Sequence, residues 1–228
     1  VFSGAGYHVI GIDRTRGLDD LGHVDYFIEA DLGRIAGDED YAKGVIDECK
    51  SQMVSHRLDV LINNAAVQIL GETDELTRAD WEGSWNVNLL APFLLTQAFV
   101  GALDAVSGSV VNISSIHVRL TKKGFVAYST TKAALSGMTR ALAVDLGSRV
   151  RINAIEPAAI ATPMLKEGFE GKPSLYGQLE ACHPQTRIGS PSEVAHIALY
   201  LASSESRFLH GACISLDGGI TSRLFDPG

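Results

Sequence analysis

The tightest constraint on this chain lies between Ser109 and Ala143, SVVNISSIHVRLTKKGFVAYSTTKAALSGMTRALA. Its opening run, Val110-Val111-Asn112-Ile113, is short and apolar, the composition of a strand buried in a parallel sheet. The run stops at Ser114-Ser115. After a loop, small and apolar residues recur at helical spacing from about Ala127. Tyr128 and Lys132 lie four apart on that segment, so a helix stands them one turn above each other on one face. Ser115 precedes the tyrosine by thirteen residues, at the end of the strand. A hydroxyl at a strand's carboxyl end and a Tyr/Lys pair on the next helix converge at the crevice where open α/β sheets bind ligands.

Acid–base chemistry says what such a convergence can do. A free phenol has a pKa of about 10, too high for a base at neutral pH. A lysine ammonium one turn away favours the phenolate, so Tyr128 is expected to titrate below its ordinary value. It can then take the proton from an alcohol as hydride leaves the carbon, or return it to a carbonyl oxygen. Ser115 holds the oxygen on which charge develops. A Tyr-x-x-x-Lys alone is weak, since it arises by chance in roughly one chain in three of this size. A surface lysine beside a half-buried tyrosine is its ordinary meaning.

The conjunction is more specific. Ser115, Tyr128 and Lys132, with Asn63-Asn64-Ala65-Ala66 upstream, resemble the short-chain dehydrogenase/reductase family in order and spacing. The resemblance covers nearly the whole chain. It implies a Rossmann-like doubly wound parallel sheet in three layers, and one oxidoreductase domain over residues 1–228. It also implies an NAD(P)-dependent enzyme acting on a secondary alcohol or ketone, assembled as a homotetramer or homodimer.

By the same resemblance the catalytic set is Asn88, Ser115, Tyr128 and Lys132. Asn88 lies 27 residues before Ser115; its expected role is to interrupt helix hydrogen bonding and hold a water that links the lysine to solvent. The expected cofactor-binding residues are Asp13, Asp31, Leu32, Asn63, Ala65, Tyr128, Lys132, Pro157, Ile160 and Thr162. Asp13 ends the strand Tyr7–Asp13 and accepts hydrogen bonds from the adenosine ribose hydroxyls. It repels a 2′-phosphate, which favours NAD; Arg14 beside it keeps NADP as the lesser expectation. Asp31 is expected to bond the adenine amino group, although capping the following turn is an equally simple account. Ile160 backbone and the Thr162 hydroxyl are expected to hold the nicotinamide amide. Ala158 replaces a glycine of the family pattern, and a positive φ there would strain it.

Composition excludes other classes. With 27 acidic and 19 Lys or Arg residues the net charge is −8, against the basic footprint of a nucleic-acid binder. The apolar stretches read as far short of a membrane span, and the opening carries no secretory signal. Three widely spaced cysteines without Cys-x-x-Cys suit a reducing, cytoplasmic setting with free thiols, and no metal site is expected.

Elsewhere, Val1–Gly6 reads as the tail of a helix closed by glycine. Strands are expected at 25–30, 58–66, 150–157 and 211–217. Residues 39–55 make an amphipathic helix, and Thr77 starts another whose Trp81 and Trp85 are expected in the core. Ser190-Pro191-Ser192-Glu193 is a capped helix start with a capping box. Residues 164–185 have only weak helical pattern and read as an irregular lid over the substrate. His117 and that lid are candidates to line the pocket, although a histidine there is more often a solvated loop residue. The family's first strand and its Thr-Gly-x-x-x-Gly-x-Gly phosphate loop have no counterpart in residues 1–12, so the chain reads as an incomplete copy of an enzyme lacking about 25 residues. The alternative is a catalytically silent fragment or relative, serving as an oligomerisation or regulatory module.

Overall fold

The computed structural model describes residues 1–15 and 22–224. In chain order they form β1 (Ile10–Asp13), β2 (Tyr26–Glu29), α1 (Leu32–Gly37), α2 (Glu39–Gln52), β3 (Val60–Asn63) and α3 (Arg78–Trp85). A π-helical turn, Asn86–Leu90, joins α3 to α4 (Ala91–Asp104). Then come β4 (Ser109–Ile113), α5 (Val126–Leu146), β5 (Arg151–Pro157), α6 (Pro163–Gly168), α7 (Pro173–Cys182), α8 (Pro191–Ala202) and β6 (Cys213–Leu216).

Every strand pair is parallel. One sheet runs β3-β4-β5-β6, with Val111 between Ile62 and Asn153; a second pairs β1 with β2. Side chains alternate across the sheet. Val110 and Ile152 therefore join a core with Phe99, Leu103 and Leu146, while Val111 and Ile155 join Ala198 and Leu201 of α8 on the opposite face. The result is the expected three-layer α/β arrangement. Because both faces are covered, β3 and β4 carry apolar residues in runs rather than in strict alternation. The edges of β1 and β3 face each other across a cavity of about 310 Å³, lined by Ile10, Ile12, Leu61, Ile62 and Phe99 among others.

Helix boundaries follow their caps. Ser190 accepts from Glu193 N–H and Glu193 returns to Ser190, the full capping box with Pro191 in the first turn. Thr77 and Asp80 make another. Gly6 closes a single 3₁₀ turn, Ser3–Ala5, at φ 85°, a left-handed conformation natural to glycine.

Four sequence expectations need correction. Helix α1 was not anticipated; six residues are too few to display a helical period. The segment 164–185 is not irregular, since α6 and α7 occupy most of it, each started by a proline in its first turn. Trp85 is 46% exposed rather than in the core, and Trp81 is half-buried. The run Arg78–Asp104, 27 residues, is also long and apolar enough by length and composition to cross a membrane. Its Leu95, Phe99 and Leu103 instead pack into the protein core, the ordinary place for such a helix.

Gly108, just before β4, is fixed by its surroundings. A Cβ there would lie 2.9 Å from the backbone oxygens of both Leu58 and Asp59, and 3.0 Å from Leu103 Cδ2. Backbone cannot swing aside as a side chain can. Gly108→Ala is therefore expected to lower unfolding free energy by about 1–3 kcal/mol, the usual cost of overpacking, measurable by urea denaturation. An unchanged midpoint would show that β3 and β4 separate at no cost.

Candidate active site

Because all strands run the same way, the residues following β3, β4 and β5 collect at one end of their sheet. Ser115 follows β4 and caps the short turn Ile116–Val118: its Oγ accepts from His117 N–H at 3.2 Å. That leaves the serine proton free to be donated, and the hydroxyl lies close enough to the Tyr128 phenol to favour its ionised form. Tyr128 and Lys132 lie on the first turns of α5. Lys132 is 2% exposed, with Nζ donating to the Ile113 carbonyl at 2.7 Å and lying 5.9 Å from the Tyr128 ring centre. The fold thus brings Ser115, Tyr128 and Lys132 together as expected.

Their electrostatics differ from the expectation. The Tyr128 phenol is pushed above its ordinary value by burial, offset only in part by the Ser115 hydroxyl. The lysine ammonium does not draw it down, because Nζ is turned to a carbonyl. Burial without an opposing charge lowers Lys132 itself to about 8.

Asn88 sits in the middle of the π turn and is 1% exposed, which excludes a solvated surface role. Its Oδ1 accepts from Val67 N–H at 2.8 Å; its Nδ2 donates to Val67 O at 2.9 Å and to Thr131 Oγ1 at 3.1 Å. The irregular turn was expected at this residue. Asn88 meets α5 at Thr131, the neighbour of Lys132, and pins the chain beyond β3 to both helices.

His117 is not a solvated loop residue. Its ring stacks on Phe125 at 4.4 Å and meets Tyr128 edge-on at 5.7 Å, with Nδ1 3.0 Å from Thr121 Oγ1. Burial, with Lys122 nearby, lowers it to about 4, so it is a neutral ring beside the phenol.

The cofactor-binding candidates fall in two groups. Asp13, Leu32, Asn63 and Ala65 all line the cavity between β1 and β3; Asp31 does not. Asp31 caps α1, accepting from Gly33 N–H at 2.7 Å, so the local account of that residue holds. Asn63 lines the cavity and is buried, with Nδ2 donating to Asn112 Oδ1 at 2.8 Å. On the other side, Pro157 ends β5, Ile160 bridges Gly189, and Thr162 caps α6 by accepting from Leu165 N–H at 3.2 Å. Ala158 is not among the residues of positive φ, so it carries no strain from replacing glycine.

Sequence reading missed Phe125, Ser136, Arg119 and Glu156. Ser136 had a signal: it continues the Tyr128–Lys132 spacing by four more residues.

A parallel three-layer α/β protein with a serine, tyrosine and lysine converging at the strand ends defines a nucleotide-binding-type oxidoreductase class. Comparison narrows it. The family profile described as Enoyl-(Acyl carrier protein) reductase matches residues 11–221. Acetoacetyl-CoA reductase of Cupriavidus necator is 35% identical over 209 residues, 91% of this chain and 82% of that protein. The ligand-free aldohexose dehydrogenase of Thermoplasma acidophilum superposes with a TM-score of 0.89 at 29% identity, over 100% of this chain and 89% of the other. A 4-hydroxyisoleucine dehydrogenase complexed with NADH gives 0.87 at 26% identity, over 98% and 92%. The chain belongs to the short-chain dehydrogenase/reductase family.

Proposed function

We propose that this chain transfers hydride between a nicotinamide dinucleotide, NAD in preference to NADP, and a secondary alcohol or ketone, with Tyr128 as the proton-transferring group. One observation carries the reading: Ser115 just after β4 and Tyr128 on α5 stand together, the serine hydroxyl near enough to the phenol to favour its ionised form, with buried Lys132 one helical turn on. A phenol held above its ordinary value keeps its proton at neutral pH, and so is suited to donate it to a carbonyl oxygen. Ser115 fixes that oxygen by a second hydrogen bond. Lys132, titrating near 8, stands one turn beyond the phenol with Nζ held by the Ile113 carbonyl, and Asn88 holds the adjoining turn of α5 in place.

The residues fit the cofactor at its two ends. Asp13, exposed at the end of β1 and lining the cavity, suits a ribose diol. Ile160 and Thr162 stand beyond β5 for the nicotinamide amide. When bound, the nicotinamide supplies or accepts the hydride. The second reading is a module without turnover, serving oligomerisation or regulation. Cytoplasmic placement belongs to the first reading, supported by the free thiols Cys49, Cys182 and Cys213. So does self-association: Phe93, Leu94 and Ala98 of α4 and Val126, Ala133 and Val144 of α5 stay partly or largely exposed.

Titration of the chain with NADH and with NADPH, read by nicotinamide fluorescence and followed by a panel of alcohols and ketones, separates the readings. NADH is expected to bind the more tightly. Asp13→Asn should shift the ratio about tenfold toward NADPH, as loss of one carboxylate repulsion worth about 1.4 kcal/mol implies. Binding of neither dinucleotide would favour the silent module.

A further inference from the structure

Glu156 is a carboxylate where an apolar residue is expected. It lies near the end of β5, between Ile155 and Pro157, and is 1% exposed. Burying a carboxylate is costly unless it is paired and hydrogen-bonded. Here Oε1 is hydrogen-bonded, and Oε2 is ion-paired without hydrogen-bond alignment. Arg119 Nη2 lies 3.1 Å from Oε2, and Ser136 Oγ donates to Oε1 at 3.0 Å.

Those two partners lead in different directions. Arg119 closes the turn Ile116–Val118, its N–H donating to Ile116 O at 2.9 Å, and Ser115 opens the same turn. Ser136 belongs to the ridge of α5 that carries Tyr128 and Lys132, one turn beyond the lysine. Its hydroxyl is 2.8 Å from Ser114 Oγ, which in turn donates to the Lys132 carbonyl at 3.0 Å. Two hydroxyl protons are divided among three short contacts, so loss of the carboxylate as acceptor redistributes the whole set.

We propose that Glu156 is a positioning residue, which through Arg119 and Ser136 fixes the Ser115 turn against the Tyr128–Lys132 face of α5. The role rests on the hydride-transfer reading above for its catalytic consequence, though not for its geometry. Glu156 itself touches no reacting atom. Its carboxylate stands behind the three groups that do, on the strand next to β4, and joins the loop on one side of the site to the helix on the other. A neutral residue there leaves the Arg119 guanidinium, half exposed, free to swing into solvent.

The test uses Arg119→Met, Arg119→Lys, Glu156→Gln and the Arg119→Met/Glu156→Gln pair. Arg119→Met leaves a buried carboxylate with only its serine contact, so the double variant, which removes both charges, reads the same contact if either single variant proves unstable. With a turned-over ketone, kcat should fall at least about tenfold in Arg119→Met, since small misplacement of reacting groups costs up to about 100-fold. KM for the dinucleotide should stay within about twofold, Arg119→Lys should recover part of kcat, and the double variant should be no slower than Glu156→Gln, because both changes break one contact. Full kcat in Arg119→Met, or multiplying losses in the double variant, would overturn the proposal. Deuterium exchange of residues 115–120 reads the same contact without turnover. It should quicken in Arg119→Met; unchanged exchange counts against Glu156 as a positioning residue even if no substrate is ever found, and faster exchange without turnover counts only against the enzyme.

Discussion

Tyr128→Phe is expected to slow hydride transfer by about 10²–10⁴-fold, the usual contribution of a general acid or base, while dinucleotide binding stays within a few-fold of the parent. The ring remains, and with it the edge-on contacts to His117 at 5.7 Å and Phe125 at 6.1 Å that set its place. Only the phenolic oxygen is lost, and with it the influence of the neighbouring Ser115 hydroxyl. Single-turnover measurement of nicotinamide oxidation isolates the chemical step, and fluorescence titration isolates binding. A variant that turns over at the parental rate would remove Tyr128 from the mechanism and leave the Ser115–Tyr128 pair as packing.

The second large effect concerns stability. Lys132 in the folded protein loses its proton near pH 8, against an ordinary lysine value of 10.5. Between those two values the unfolded chain binds more protons than the folded one, so unfolding free energy rises with pH across that window. Below pH 8 the penalty of burying the ammonium is present in full. Compared with Lys132→Met, the parent protein should therefore gain roughly 3 kcal/mol between pH 8 and pH 10.5 in urea unfolding. The comparison cancels the other tyrosines and lysines that titrate in the same range. A difference between the two proteins that is flat with pH would mean that the ammonium is better solvated than its 2% exposure implies.

The legible parts of the fold were those written in local pattern. Strands β3 and β4 are mostly apolar runs, because helices cover both faces of their sheet, and Ser190–Glu193 and Thr77–Asp80 announce their helices by capping. The convergence of Ser115, Tyr128 and Lys132 was legible from spacing alone. What escaped depends on contacts that are remote in the chain. Helical spacing puts Trp81 and Trp85 on one face without saying which way that face turns, and Trp85 turns outward. The Tyr128 phenol was expected to fall and rises instead, because burial is set by packing from several elements and Nζ of Lys132 found a carbonyl. His117 looked solvated until Phe125, eight residues on, folded over it. Glu156 pairs with Arg119 across 37 residues, and no local rule joins them.

The π turn at Asn86–Leu90 has a geometric corollary. Each residue of an α-helix advances the azimuth by about 100°, so one surplus residue within a turn throws everything upstream out of phase with everything downstream. Helix α4 can then send Leu95, Phe99 and Leu103 into the core while α3, collinear with it, aims its own faces elsewhere. Trp85 is the last residue before that dislocation, and its outward tilt is the visible mark of a helix wound to two different clocks.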